Sequence, residues 1–245
     1  MNAPTMKLMI GLFTLTLISS CSTPTEKNLE AGAEQEVMSV SEKAAWIDID
    51  TTSSVVTWIG SKPKGQHNGI IPFTTGQLAV LNNEIVGGKF EMAVRRLQVM
   101  DLMKDPARSK KLKDHLMSED FFEADSFPTA SFEIVEVTPF DSTALPKDTQ
   151  EFESEYTPAT LSSFMVANPT HLITGNLTLR GATRSITFPA DISFNPESIR
   201  AEAKFNIDRT DWNLSYSDEA SVIDKAKDRF IYNTVNVGLN LEVTR

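Results

Sequence analysis

The sequence carries a single cysteine and only three histidines in 245 residues, and each scarcity closes off a class of chemistry. With Cys21 alone, no intramolecular disulfide can form, so packing must hold the fold. His67, His115 and His171 are scattered, and none stands in an HxH or HxxxH spacing that would put two metal ligands on one face. No glycine-rich phosphate loop opens a helix and no GxSxG elbow is present. The expectation is therefore a protein without metal, cofactor or catalytic residues, not an enzyme. Basic residues are also in deficit, 23 against 33 acidic, for a formal net charge of −10. A nucleic-acid partner, whose phosphates need a basic face, is excluded on that ground.

Long hydrophobic runs are absent as well, apart from Leu8 to Ile18, which follows Lys7 and is too short for a permanent membrane span. That length suits the core of an export signal. Ile18-Ser19-Ser20-Cys21 then resembles the bacterial lipobox, in which small residues precede a cysteine that is lipidated and becomes the new N-terminus. The expected organisation is a signal peptide over 1–20, a lipid anchor on Cys21 and a flexible acidic tether over 21–44. As a random coil the tether would hold the folded part on the order of 25 Å from the membrane. The expected location is the cell envelope, facing the periplasm, with the choice of inner or outer membrane left open.

From Trp46 onward the chain turns to alternation of apolar and polar residues. Trp46 to Asp50 and Ser53 to Ile59 read as a hairpin, followed by strands at Ile70 to Phe73, Gln77 to Leu81 and Glu84 to Arg95. Alternation returns after Pro128, and again in 172–179, 186–194, 199–207 and 235–243. One helical interval stands out, Pro106 to Met117, with Asp105 as cap and Pro106 at the first helical position. Ser118, followed by Glu119 and Asp120, reads as a second helix start that presents Phe121 and Phe122 together. The resulting fold class is mainly β, an eight-stranded antiparallel barrel with one outer α-helix and an inserted loop. A sandwich competes, and the barrel is preferred because closure leaves no strand edge to protect.

Several motifs then occur in order: Lys111-Leu112, His115-Leu116, Ser118-x-Asp120-Phe121-Phe122, Phe127-Pro128-Thr129-Ala130-x-Phe132, Thr174-Gly175-Asn176-Leu177-Thr178-Leu179-x-Gly181-x-Thr183 and Ile207-Asp208-Arg209-Thr210-Asp211-Trp212. Together, from about Trp46 to Val243, they resemble the YceI family. The resemblance implies a lipocalin-like barrel that is exported and binds a long amphiphilic lipid, such as a polyisoprenoid, an isoprenoid quinone or a fatty-acid derivative. Candidate lining residues on that basis are Trp58, Phe90, Met92, Phe121, Phe122, Phe132, Leu177, Leu179, Phe205 and Trp212. Each taken alone reads as ordinary core, and only the resemblance makes them a set. Arg180, Arg209 and Asp211 are candidates to fix a head group, although an Arg-x-Asp at a strand end is more often a surface ion pair worth little.

Two stretches depart from the family pattern: Gln66 to Gly76, and an insertion over 139–169 that mixes acidic residues with Phe152, Tyr156, Phe164 and Met165. The insertion reads either as a solvated loop or as a lid whose aromatics cap the cavity. Against the lipid carrier stands a second reading, an envelope interaction module whose core is filled by its own side chains. A homodimer is compatible with either reading, though no apolar heptad calls for one.

Overall fold

The computed structural model describes residues 31–37, 39–148, 150–223 and 229–244. The expected signal peptide, Cys21 and the first part of the tether lie outside these. Ten strands form one sheet: β1 (Ala45–Asp48), β2 (Val55–Lys62), β3 (Gly65–Leu81), β4 (Glu84–Ala93), β5 (Gln98–Val99), β6 (Thr129–Pro139), β7 (His171–Leu179), β8 (Ala182–Phe194), β9 (Ser198–Asp208) and β10 (Thr234–Thr244). Eight of them run in the order β3, β2, β10, β9, β8, β7, β6, β4, and β4 pairs back onto β3 to close the barrel. All the pairings are antiparallel, while β1 and β5 lie outside the ring and add to β3.

The eight-stranded expectation holds, with two differences in how the strands are made. Trp46 to Asp50 does not pair with the next strand; β1 pairs with the far end of β3, Ala45 opposite Val80. Past β1 the chain turns to β10 instead, the Asp50 N–H bonding the Glu242 carbonyl and the Ser54 hydroxyl accepting the Glu242 N–H. The segments expected at 70–73 and 77–81 are one 17-residue strand, bent by a bulge between Phe73 and Thr75. A bulge adds a residue and a kink without ending the ladder, so the Gly76 turn signal was misleading.

The helix α1 (Pro106–Met117) has the bounds read from the sequence, and the Asp105 side chain accepts from the Arg108 N–H. Ser118 does not start a second helix. It closes α1, donating its hydroxyl to the His115 carbonyl at 2.8 Å. α1 lies at the barrel end where β4 stops and β6 begins, together with the described residues between β9 and β10, 209–223 and 229–233.

Residues 31–44 are not a free tether. Gly32 exchanges two backbone hydrogen bonds with Ser185 of β8, at 2.8 and 3.0 Å. Gln35 exchanges two more with the Asn176 side chain of β7. Val40 packs over Gly87 of β4, where a Cβ would come within 2.7 Å of it. This strap crosses the outer face of the barrel before entering β1. Most of its hydrogen bonds to the barrel use its backbone groups, which is why its acidic composition left no trace of them.

The insertion leaves the end opposite α1, after Pro139, and returns at His171. Between these points it runs back along the outside of β9 and β10. Asn206 and Asn236, whose neighbours Phe205 and Val237 face inward, both donate to the Ala159 carbonyl. Further along, the Tyr232 hydroxyl donates to the Phe152 carbonyl at 2.6 Å, and the Phe152 ring packs edge-on against Phe230. A short helix, α2 (Leu161–Phe164), buries Leu161 to 3 % exposure against the core.

Candidate functional site: an apolar cavity inside the barrel

Because successive residues of a strand face opposite sides, one alternate set from each strand points into the barrel. In β10 that set is Val235, Val237, Leu239 and Leu241, and in β9 it includes Ala201, Phe205 and Ile207. These side chains leave the middle of the barrel unfilled. The cavity holds about 220 Å³ and its wall is apolar throughout. A cavity of roughly 150 Å³ lined by leucine, isoleucine and phenylalanine stays dry and takes up benzene. A larger one of the same chemistry favours an apolar guest over water. From Val235 to Leu241 the lining extends some 20 Å along the strand at about 3.3 Å per residue, so the space is elongated.

Trp58, Phe90, Met92, Phe121, Phe122, Phe132, Leu177, Leu179 and Phe205 all line the cavity. Trp212 does not. It is fully buried in the short 3-10 turn Arg209–Trp212, and its indole N–H donates to the Leu177 carbonyl at 2.9 Å, fixing that turn to β7. Phe121 and Phe122 reach the cavity because the chain reverses after α1, with Phe122 N–H bonded to the Leu116 carbonyl and Ala124 N–H to that of Met117. Both rings then close the α1 end of the cavity together with Leu116. Phe121 is braced from behind by His115 and Tyr216, with ring centroids 5.0 and 5.4 Å away.

The three head-group candidates are engaged elsewhere. Arg209 is buried, at 3 % exposure, and only its apolar stem contributes to the cavity wall. Its guanidinium donates to the backbone carbonyls of Tyr232, Ile231 and Leu214. Burial lowers its pKa from the usual arginine value, with Asp218, Asp208 and Glu219 opposing that shift. Arg180 donates to the Asn213 and Glu119 carbonyls at 2.6 and 2.7 Å and reaches Glu123, tying three loops together. It shares the β7–β8 turn with Gly181, both at positive φ, the combination that suits a tight hairpin. Asp211 accepts the Ala31 N–H of the strap at 3.0 Å. These residues are structural ties, and the sequence reading of Arg209 as a surface pair fails because its partners are carbonyls that no sequence pattern announces.

The lid expectation for the insertion is not met, since no described residue of 139–169 lines the cavity and the Phe152 ring sits on Phe230 outside. The insertion does carry one unusual carboxyl. Burial, with Glu219 and Asp208 nearby, raises Glu151 to a pKa of about 7, although the Thr234 hydroxyl donates to it. Lining residues that the sequence reading omitted include Gly60, Leu116, Phe188, Leu214 and Ile231. Phe188 was reachable from strand alternation; Leu214 and Ile231 were not, because they lie in irregular connections. Among the described residues one buried side-chain polar atom lacks any partner, the indole nitrogen of Trp58.

The YceI-like domain model matches residues 47–243, nearly the whole barrel. Among solved structures, BcnA of Burkholderia cenocepacia superposes with a TM-score of 0.55 at 16 % identity, over 79 % of this chain and 98 % of that one. A polyisoprenoid binding domain from Saccharophagus degradans, implicated in plant cell wall breakdown, gives 0.49 at 15 %, over 82 % and 99 %. The Campylobacter jejuni YCEI protein gives 0.42 at 13 %, over 96 % and 99 %. At these identities the likeness is one of fold. No curated protein sequence matches the chain.

Proposed function

This chain belongs to the YceI-like domain family, and from that premise we propose that it binds a long-chain amphiphilic lipid inside its barrel and carries or sequesters it at the cell envelope. The observation that supports this most is the unfilled apolar cavity, elongated along the strands and lacking any charged atom in its wall. A core filled by its own side chains, as an interaction module would have, leaves no such space. Each methylene removed from water contributes about 0.8 kcal/mol, which is close to fourfold in affinity. An isoprenoid or acyl chain therefore binds by area, and its polar end needs few contacts.

The envelope location rests on the lipobox-like Cys21. If Cys21 carries the anchor, the strap shortens the leash. The ten residue steps from Cys21 to Ala31 can span at most about 35 Å, so the barrel would stay near the bilayer from which a lipid would come. The test is a titration of the delipidated protein with saturated fatty acids of increasing length. Binding free energy should rise by about 0.8 kcal/mol per methylene and then level off when the cavity is full. Affinity independent of chain length would refute the reading.

A further inference from the structure

The barrel is not equally closed all round. β8 and β9 pair only from Ala190 opposite Ala203 to Phe194 opposite Ile199, although β8 begins at Ala182 and β9 continues to Asp208. The cause is legible in one residue. The Asn195 N–H bonds the Ser198 carbonyl, so the odd-numbered residues of β8 point their N–H groups towards β9. Pro189 is one of these and has no N–H to give, and the ladder ends beside it. Beyond that point the strands are held inside only by side chains, with Phe188 and Phe205 stacked at a centroid distance of 4.2 Å. Both rings, and Ile186 and Ile207 after them, line the cavity, so this seam borders it directly.

The N-terminal strap lies across the seam. Gly32 takes the backbone place that β9 leaves vacant, pairing with Ser185 on the free edge of β8. One residue earlier, the Ala31 N–H is bonded to Asp211, in the turn that follows β9, and the Ala31 side chain packs against the core. The strap thus stitches one lip of the seam to the other with a few hydrogen bonds; β4 and β6 have an equally short ladder, Lys89 opposite Glu133 to Ala93 opposite Thr129, but at the β8–β9 seam a backbone segment from outside the barrel takes up the edge left unpaired. We infer that the β8–β9 seam is a lateral portal for the hydrophobic guest, and that the 31–35 strap is its latch. The inference rests on the lipid-binding reading above, and adds where the chain passes in and out.

The geometry supplies its own test. A Cβ built on Gly32 lies 3.8 Å from that of Ser185, inside the range of about 3.5–4.5 Å that a disulfide requires. The full chain with Cys21→Ser, Gly32→Cys and Ser185→Cys would be loaded with a pyrene-labelled hexadecanoic acid and mixed with phosphatidylcholine vesicles. Release should be at least tenfold slower oxidised than reduced, with the equilibrium partition unchanged. In a separate variant, Gly32→Pro, which removes the N–H donated to Ser185, release should be faster than in the unmodified protein. Equal release rates in the oxidised, reduced and Gly32→Pro proteins would overturn the portal and put passage at the α1 end. Failure of even the unmodified protein to take up the probe would instead overturn the lipid-binding reading on which the portal depends.

Discussion

Gly60 offers the sharpest perturbation of the cavity. It lies in β2, lines the cavity, has an ordinary strand conformation, and a Cβ placed on it meets no atom within 4 Å. Gly60→Leu therefore adds a side chain into free space. Burying a leucine contributes about 1.5–3 kcal/mol, and replacing glycine adds roughly 0.4–1 kcal/mol by restricting the unfolded chain. The delipidated variant should be more stable by about 2–4 kcal/mol. At roughly 2–4 °C per kcal/mol for a domain of this size, its unfolding midpoint should rise by about 4–16 °C. The same side chain should reduce fatty-acid uptake, because it occupies the guest's volume. Thermal unfolding followed by circular dichroism and a binding titration read the two effects. If the interior were already filled, overpacking would cost about 1–3 kcal/mol instead. A lowered midpoint with undiminished uptake would refute the reasoning.

Other perturbations probe the ties around the cavity. Arg209→Met leaves the carbonyls of Tyr232, Ile231 and Leu214 without their shared donor, and should cost about 3 kcal/mol or more in urea unfolding. Trp58→Phe removes the N–H that has no partner, so it should change stability by less than about 1 kcal/mol, whereas Trp212→Phe, which loses the bond to Leu177, should cost more. Glu151, facing Thr234, Glu219 and Asp208, has its pKa raised to about 7 by burial. The folded state therefore holds a proton between about pH 4.5 and 7 that the unfolded state releases. Stability should fall as pH rises through that window, and Glu151→Gln should flatten the fall; an unchanged pH profile of the unfolding midpoint would contradict this.

Regular elements were readable because their causes are local. Asp105 and Pro106 mark the start of α1, and the inward alternation of Phe90 and Met92, or of Val235 and Val237, follows from strand geometry alone. The pairing of β1 with β3 was not readable, because nothing in Trp46 to Asp50 names a partner some thirty residues away. The strap and the insertion were misread for a related reason. Both attach through backbone groups and through Asn176, Asn206 and Asn236, polar residues on outward faces that a sequence presents as solvent-facing. Arg209 was misjudged in the same way. A guanidinium can be satisfied by carbonyls as well as by carboxylates, and carbonyls are everywhere along the chain. Pro189 is the exception, a break in the β8–β9 ladder that strand position and the missing N–H could have announced.

The central claim is that the barrel holds a hydrophobic guest, and native mass spectrometry of the chain purified without detergent, followed by organic extraction, tests it most directly. The account predicts a complex with one hydrophobic molecule per chain, of one chemical class, released when the protein unfolds. A protein that flies empty, and that also fails to take up isoprenoid or acyl lipids offered to it, would contradict the account.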